Sequence, residues 1–108
     1  MNLLSKKCIP CEGGATPLTK EQTEEYLKEA THWKSSSDGL KIIREVTFKD
    51  FKEAMGFINR VAEIAESEGH HPDIFVSYNQ VRLELSTHAI KGLSENDFIV
   101  AAKINELL

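Results

Sequence analysis

The stretch from Phe48 to Leu85, FKDFKEAMGFINRVAEIAESEGHHPDIFVSYNQVRLEL, decides the fold, because its hydrophobic period switches from that of a helix to that of a strand. Phe51, Met55, Ile58, Ala62 and Ala65 recur at helical spacing, flanked by Ala54, Phe57 and Val61. Lys52, Glu53, Asn59, Arg60, Glu63 and Glu66 mark the wet side. This pattern predicts one long amphipathic helix from about Phe48 to Glu68. Thr47-Phe48-Lys49-Asp50 offers a hydroxyl cap with an acid at the third helical position. Gly69 is placed to end the helix in a left-handed cap, and Pro72 prevents its resumption. Beyond Pro72, Ile74 and Val76 with Phe75 and Tyr78 make a short strand, and Tyr78-Asn79-Gln80 reads as a turn. Val81, Leu83 and Leu85 then alternate with Arg82, Glu84 and Ser86, a strand with one wet face.

Upstream, Thr19-Lys20-Glu21-Gln22 is a capping box and opens a helix to about Ala30. Trp33 follows, then the polar turn Ser35-Ser36-Ser37-Asp38-Gly39. Leu40, Ile42, Arg44 and Val46 alternate with Lys41, Ile43 and Glu45 after it, so a first antiparallel pair of strands is expected. Downstream, Ser94-Glu95-Asn96-Asp97 caps a last helix whose apolar face is drawn from Phe98, Ala101, Ala102, Ile104 and Leu108. The order is helix, two strands, long helix, two strands, helix. It predicts an α+β, two-layer fold: a four-stranded antiparallel sheet with helices packed on one face. Gly13-Gly14-Ala15-Thr16-Pro17 separates an irregular N-terminal arm, residues 1–17, from a single folded domain, residues 18–108.

Composition narrows the function classes. The chain has 108 residues, 41% of them hydrophobic and 28% charged, as in an ordinary globular protein. Its net charge of -4 and pI near 5.5 argue against nucleic-acid binding by phosphate neutralisation. No apolar run approaches the roughly 20 residues of a membrane span. Met1 to Lys7 has no apolar run behind its charges and does not read as a signal peptide, so a cytoplasmic location is expected. Cys8 and Cys11 form a lone C-x-x-C. With no second pair for a zinc site and no strand–helix junction for a redox pair, two free thiols on a partly ordered arm are expected.

Among the four histidines, His70 and His71 follow the long helix directly, and His88 follows the last strand after Ser86-Thr87. A helix C-terminus favours positive charge, and Glu66 lies one turn before His70, where an i,i+4 contact would act the same way. Imidazole, with an ordinary pKa near ~6.5, serves as acid or base near neutrality. If the last strand runs beside the segment after Pro72, His88 faces the histidine pair across a cleft. The residues alone leave other readings open. The pair could be a solvated helix cap, or the three could form a zinc site, although consecutive histidines diverge and suit one metal poorly.

Glu66-Ser67-Glu68-Gly69-His70-His71-Pro72-Asp73, Tyr78-Asn79-Gln80-Val81, Leu85-Ser86-Thr87-His88 and Gly92-Leu93-Ser94-Glu95-Asn96-Asp97 occur in order. Together they closely resemble the signature of the pterin-4a-carbinolamine dehydratases. Trp33, Phe48-Lys49-Asp50-Phe51 and Gly56-Phe57 extend the resemblance, which covers Leu18 to Leu107. One departure is Ile74-Phe75, where many members have Trp or another aromatic before Phe; no acid-base group is lost by it.

The resemblance implies dehydration of a 4a-hydroxytetrahydropterin to the quinonoid dihydropterin, in support of tetrahydropterin recycling. It assigns His70 and His88 as the acid-base pair, with His71 holding the pterin and sharing the proton work. Ser86, Thr87 and Gly69 would contact substrate, and Glu66 would orient the histidine pair. Asp97 would hold His88 in one tautomer, alongside its capping role, and Trp33 would stand near the cleft. The chemistry requires no metal, nicotinamide or flavin. The resemblance also implies self-association as a homodimer or homotetramer. Two other functions fit the same residues: a protein-binding dimerisation cofactor of a homeodomain transcription factor, or an enzyme acting on another pterin, as near molybdopterin metabolism.

Overall fold

The computed structural model describes residues 2–9 and 16–108; Cys11 and Gly13-Gly14 lie outside the described residues. Its elements are α1 (Lys20–Glu29), β1 (Lys34–Ser35), β2 (Ile42–Thr47), α2 (Phe51–Glu68), β3 (Asp73–Ser77), β4 (Gln80–Leu85) and α3 (Glu95–Asn105), with 3₁₀ turns at Leu3–Ser5 and His88–Ile90. The four strands form one antiparallel sheet in the order β1-β2-β4-β3. Ile42, Val81, Leu83 and Leu85 point to the core, where they meet Phe57 and Val61 of α2 and Phe98 of α3. The expected α+β layering is therefore observed. On the opposite face Glu84 is nearly buried because Lys41 and Arg82 clasp its two carboxylate oxygens, at 2.9 and 2.8 Å.

The start of α2 differs from the expected one. Thr47 is the last residue of β2, paired with Gln80, and Phe48 donates its N–H to the Asn79 carbonyl and accepts from the Asn79 side-chain amide rather than entering the helix. Asp50 is the cap, its carboxylate accepting from the Glu53 N–H at 2.9 Å. The face of α2 also turns. Ala54, Phe57, Val61 and Ala65 are buried, whereas Phe51, first in the expected core stripe, is 49% exposed and Ala62 is exposed as well.

The last helix is more enclosed than a one-faced reading allows. Every residue from Asn96 to Ala102 is buried, including Ile99 and Val100, while Leu108 lies past the helix end and is exposed. The cause is packing on several sides. The sheet and α2 lie against α3, Tyr26 of α1 stacks on Phe98 with ring centroids 5.0 Å apart, and the N-terminal segment adds the fully buried Leu3. The Leu3 N–H donates to Glu29 at 2.7 Å, so residues 2–9 are irregular in form but stitched to the helical layer. Capping of α1 follows the expected box: Gln22 N–H donates to the Thr19 hydroxyl, and Thr19 N–H to the Gln22 side chain.

Candidate active site

In the sheet register Asp73, which opens β3, lies opposite Glu84, near the end of β4. The segment leaving α2 therefore runs beside the segment leaving β4. Gly69 adopts φ 66° and ψ 27°, the left-handed conformation that glycine enters without Cβ penalty, and this turns the chain out of the helix. On the other side, the backbone of Thr87 pairs with that of Gly92 around the 3₁₀ turn that carries His88. Gly92 allows a close approach there: a Cβ would lie 2.8 Å from Pro17 Cβ.

These two segments enclose a cleft of about 620 Å³, lined by Gly69, His70, His71, Ser86, Thr87 and His88. His70 points inward, its side chain 13% exposed, and its Nε2 lies 2.6 Å from Oδ1 of the fully buried Asp97. The second Asp97 oxygen accepts from the Thr87 hydroxyl at 2.8 Å and from the Ser94 N–H at 2.9 Å. In that network His70 donates from Nε2, which leaves Nδ1 as its acceptor nitrogen. His71 points outward, 57% exposed, with Nε2 2.5 Å from Glu66 Oε2. The His88 imidazole lines the cleft and makes no hydrogen bond to a described residue.

Several expected roles change accordingly. Asp97 holds His70, not His88, while also accepting from the N-cap of α3. Glu66 meets His71 instead of His70, because α2 stops at Glu68 and the i,i+4 relation does not extend through Gly69. The Thr87 hydroxyl is committed to Asp97 and to Ser94 Oγ, so it supports the site from beneath. Trp33 is buried away from the cleft, its indole N–H donating to Asn105 at 3.0 Å.

Cys8, Ile9, Glu68 and Asn96 also line the cleft and were not expected there. Burial tends to raise the carboxyl pKa of Glu68. The Lys103 ammonium at 2.6 Å and the Cys8 N–H at 2.9 Å more than offset this and hold it below the usual range. Burial, reinforced by Glu68, pushes the Cys8 thiol up to about 12, so it is a neutral group at physiological pH. No local signal points to these contacts, since Asn96 reads as an ordinary first-turn residue and the N-terminal segment as an irregular arm. Among the described residues, no three His, Cys, Asp or Glu side chains converge as metal ligands do.

Residues 16–107 match the family model described as pterin 4 alpha carbinolamine dehydratase. The chain belongs to that family. A pterin-4-alpha-carbinolamine dehydratase relative from Nitrosomonas eutropha is 50% identical over 107 residues, covering 99% of this chain and 94% of its own. The mitochondrial pterin-4-alpha-carbinolamine dehydratase 2 of Arabidopsis thaliana is 46% identical over 110 residues, covering 98% of this chain and 59% of its own. The crystal structure of a transcriptional coactivator/pterin dehydratase from Brucella melitensis superposes with a TM-score of 0.81 at 36% identity, covering 85% of this chain and 98% of that one. A pterin dehydratase-like protein described as a RuBisCO assembly factor shares the fold, with a TM-score of 0.62 at 20% identity. Dehydratases of this kind are hydro-lyases. No helix of the described residues is long and apolar enough to cross a membrane.

Proposed function

We propose that the chain dehydrates a 4a-hydroxytetrahydropterin, with His70 and His88 as the acid-base pair. The supporting observation is the cleft shared by His70, His71 and His88, in which a buried carboxylate fixes one imidazole. The reaction removes the hydroxyl from C4a as water and the proton from N5, forming the C4a=N5 double bond. One group must donate a proton to the departing oxygen and another must accept one from N5. Imidazoles do both near neutral pH. With Nε2–H engaged by Asp97, His70 offers Nδ1 for proton transfer, and the carboxylate stabilises the imidazolium that forms there, much as the aspartate does in a catalytic triad. His88, with no competing partner among the described residues, supplies the complementary group. His71, paired with Glu66 at the rim, holds the ring and shares the proton work.

Replacing His70 or His88 by Ala is expected to lower kcat by ~10²–10⁴-fold with the fold intact. Stopped-flow absorbance of enzymatically generated 4a-hydroxytetrahydropterin measures this directly, and full activity in both variants refutes the pairing. His71→Ala should raise KM as well as lower kcat.

A self-associating or partner-binding role is a second reading, and it has its own observation. Phe51 on α2 and Ile74, Phe75 and Val76 on the edge strand β3 form exposed apolar surface. The Brucella relative's coactivator description accords with a protein-binding face on this fold. A homodimer or homotetramer would cover that surface. A location in the cytoplasm suits a pterin enzyme with no membrane-crossing helix among its described residues.

A further inference from the structure

The family match begins at residue 16, yet the described N-terminal segment reaches the cleft. Its anchors run from the core to the cleft wall, where Glu68 and Asn96 stand. Leu3 is fully buried in the core, and Lys6 pairs with Glu95 at 2.9 Å. The Cys8 N–H donates to Glu68, itself clamped by Lys103. Asn96 holds both backbone groups of Ile9: its side-chain oxygen accepts from the Ile9 N–H at 3.1 Å, and its amide donates to the Ile9 carbonyl at 2.6 Å. With these backbone groups satisfied, the segment can present side chains to a ligand without leaving polar groups unpaired. Ile9 is 71% exposed although it is a large aliphatic residue, and it is the largest aliphatic side chain in a cleft whose other walls carry imidazole, hydroxyl and carboxylate groups beside the smaller Pro72 and Ala89.

We propose that Ile9, backed by Cys8, is a fixed apolar wall of the substrate site that packs against the bound pterin and contributes to its binding, not to proton transfer. The proposal rests on the dehydratase reading. A pterin combines polar edges with flat apolar faces, and a site for it needs an apolar surface beside the hydrogen-bonding groups. The neutral Cys8 thiol adds no charge to this wall. Tethering by Asn96 and Glu68 orders the segment before substrate arrives, which reduces the entropy cost of binding.

The test compares Ile9→Ser and the conservative Ile9→Val with wild type, by stopped-flow kinetics and by calorimetric titration of 7,8-dihydrobiopterin, a stable pterin that does not turn over. Ile9 is exposed, so thermal melts of the variants should match wild type. Ile9→Ser is expected to raise KM and the dihydrobiopterin Kd together, by roughly 5- to 20-fold, with kcat within two-fold, and Ile9→Val should restore both. Unchanged KM and Kd in Ile9→Ser overturn the wall, as does a fall in kcat at constant KM. Failure of wild type to accelerate carbinolamine decay would instead overturn the dehydratase reading, and the Kd comparison would still decide the wall.

Discussion

Asp97 receives hydrogen bonds from three separate parts of the chain: His70 after α2, Thr87 after β4 and Ser94 at its own helix start. A buried carboxylate with its oxygens satisfied in this way fixes the ring of His70 more firmly than packing alone could. Asp97→Asn preserves size but replaces one acceptor oxygen by a donor NH₂, which must face a group that is itself donating. Unfolding free energy is expected to fall by ~1–3 kcal/mol, the cost of one unsatisfied buried partner. Turnover should fall by about 10- to 10³-fold if the Nε2–H tautomer matters to catalysis. Nitrogen-15 shifts of the His70 ring provide the separate readout, since the tautomer should change only if Asp97 sets it. At this scale the sequence singled out three histidines that the structure gathers at one cleft, but mispaired their partners. The i,i+4 rule placed Glu66 under His70, and the left-handed Gly69 breaks that rule one residue before it would apply. The Asp97–His70 contact spans 27 residues, and no local pattern encodes it.

At the scale of elements, α2 shows how far periodicity can be read. Its existence, its end at Gly69 and the hairpin after it were all legible, because each rests on local conformational preferences. Where the inward face is centred was not, because Phe51, Met55, Ile58 and Ala62 are as regularly spaced as Ala54, Phe57, Val61 and Ala65, and Ile58 itself packs against the edge of the core. Phe57→Ala should therefore cost ~3–5 kcal/mol in urea unfolding at fixed protein concentration. Phe51→Ala should cost far less in the monomer and should weaken any self-association seen by sedimentation. The start of α2 provides a second test. Asp50→Ala removes a cap and is expected to cost ~0.5–2 kcal/mol. A larger loss from Thr47→Ala, assigned to β2, would return the cap to Thr47.

Across the whole molecule, Glu68 joins parts that no local pattern connects. It stands at the end of α2, accepts from Lys103 on α3, holds the backbone of Cys8 and borders the cleft. The N-terminal segment reads as an irregular arm because Gly13-Gly14-Ala15-Thr16-Pro17 sets it off from the domain, while its attachment depends on Leu3, Glu68 and Asn96 meeting in space. Acid pH should expose this arrangement. The Glu68 carboxyl is held low because Lys103 and the Cys8 N–H outweigh the upward push of burial, and that of Glu84 is held low by Lys41 and Arg82. A group whose folded pKa is depressed contributes stability that is fully present above its unfolded value, 4.5 for a glutamate. That contribution is lost as pH falls through the lower folded value. Melting temperature should therefore decline below about pH 4.5. Glu68→Gln should start lower at pH 7 and show a shallower acid decline, because the amide does not titrate. An acid limb parallel to wild type would mean that Glu68 does not couple the segment to the fold through its charge. The same decline in a Glu84→Gln background would show that the two carboxylates act independently, as their placement on opposite sides of the sheet implies.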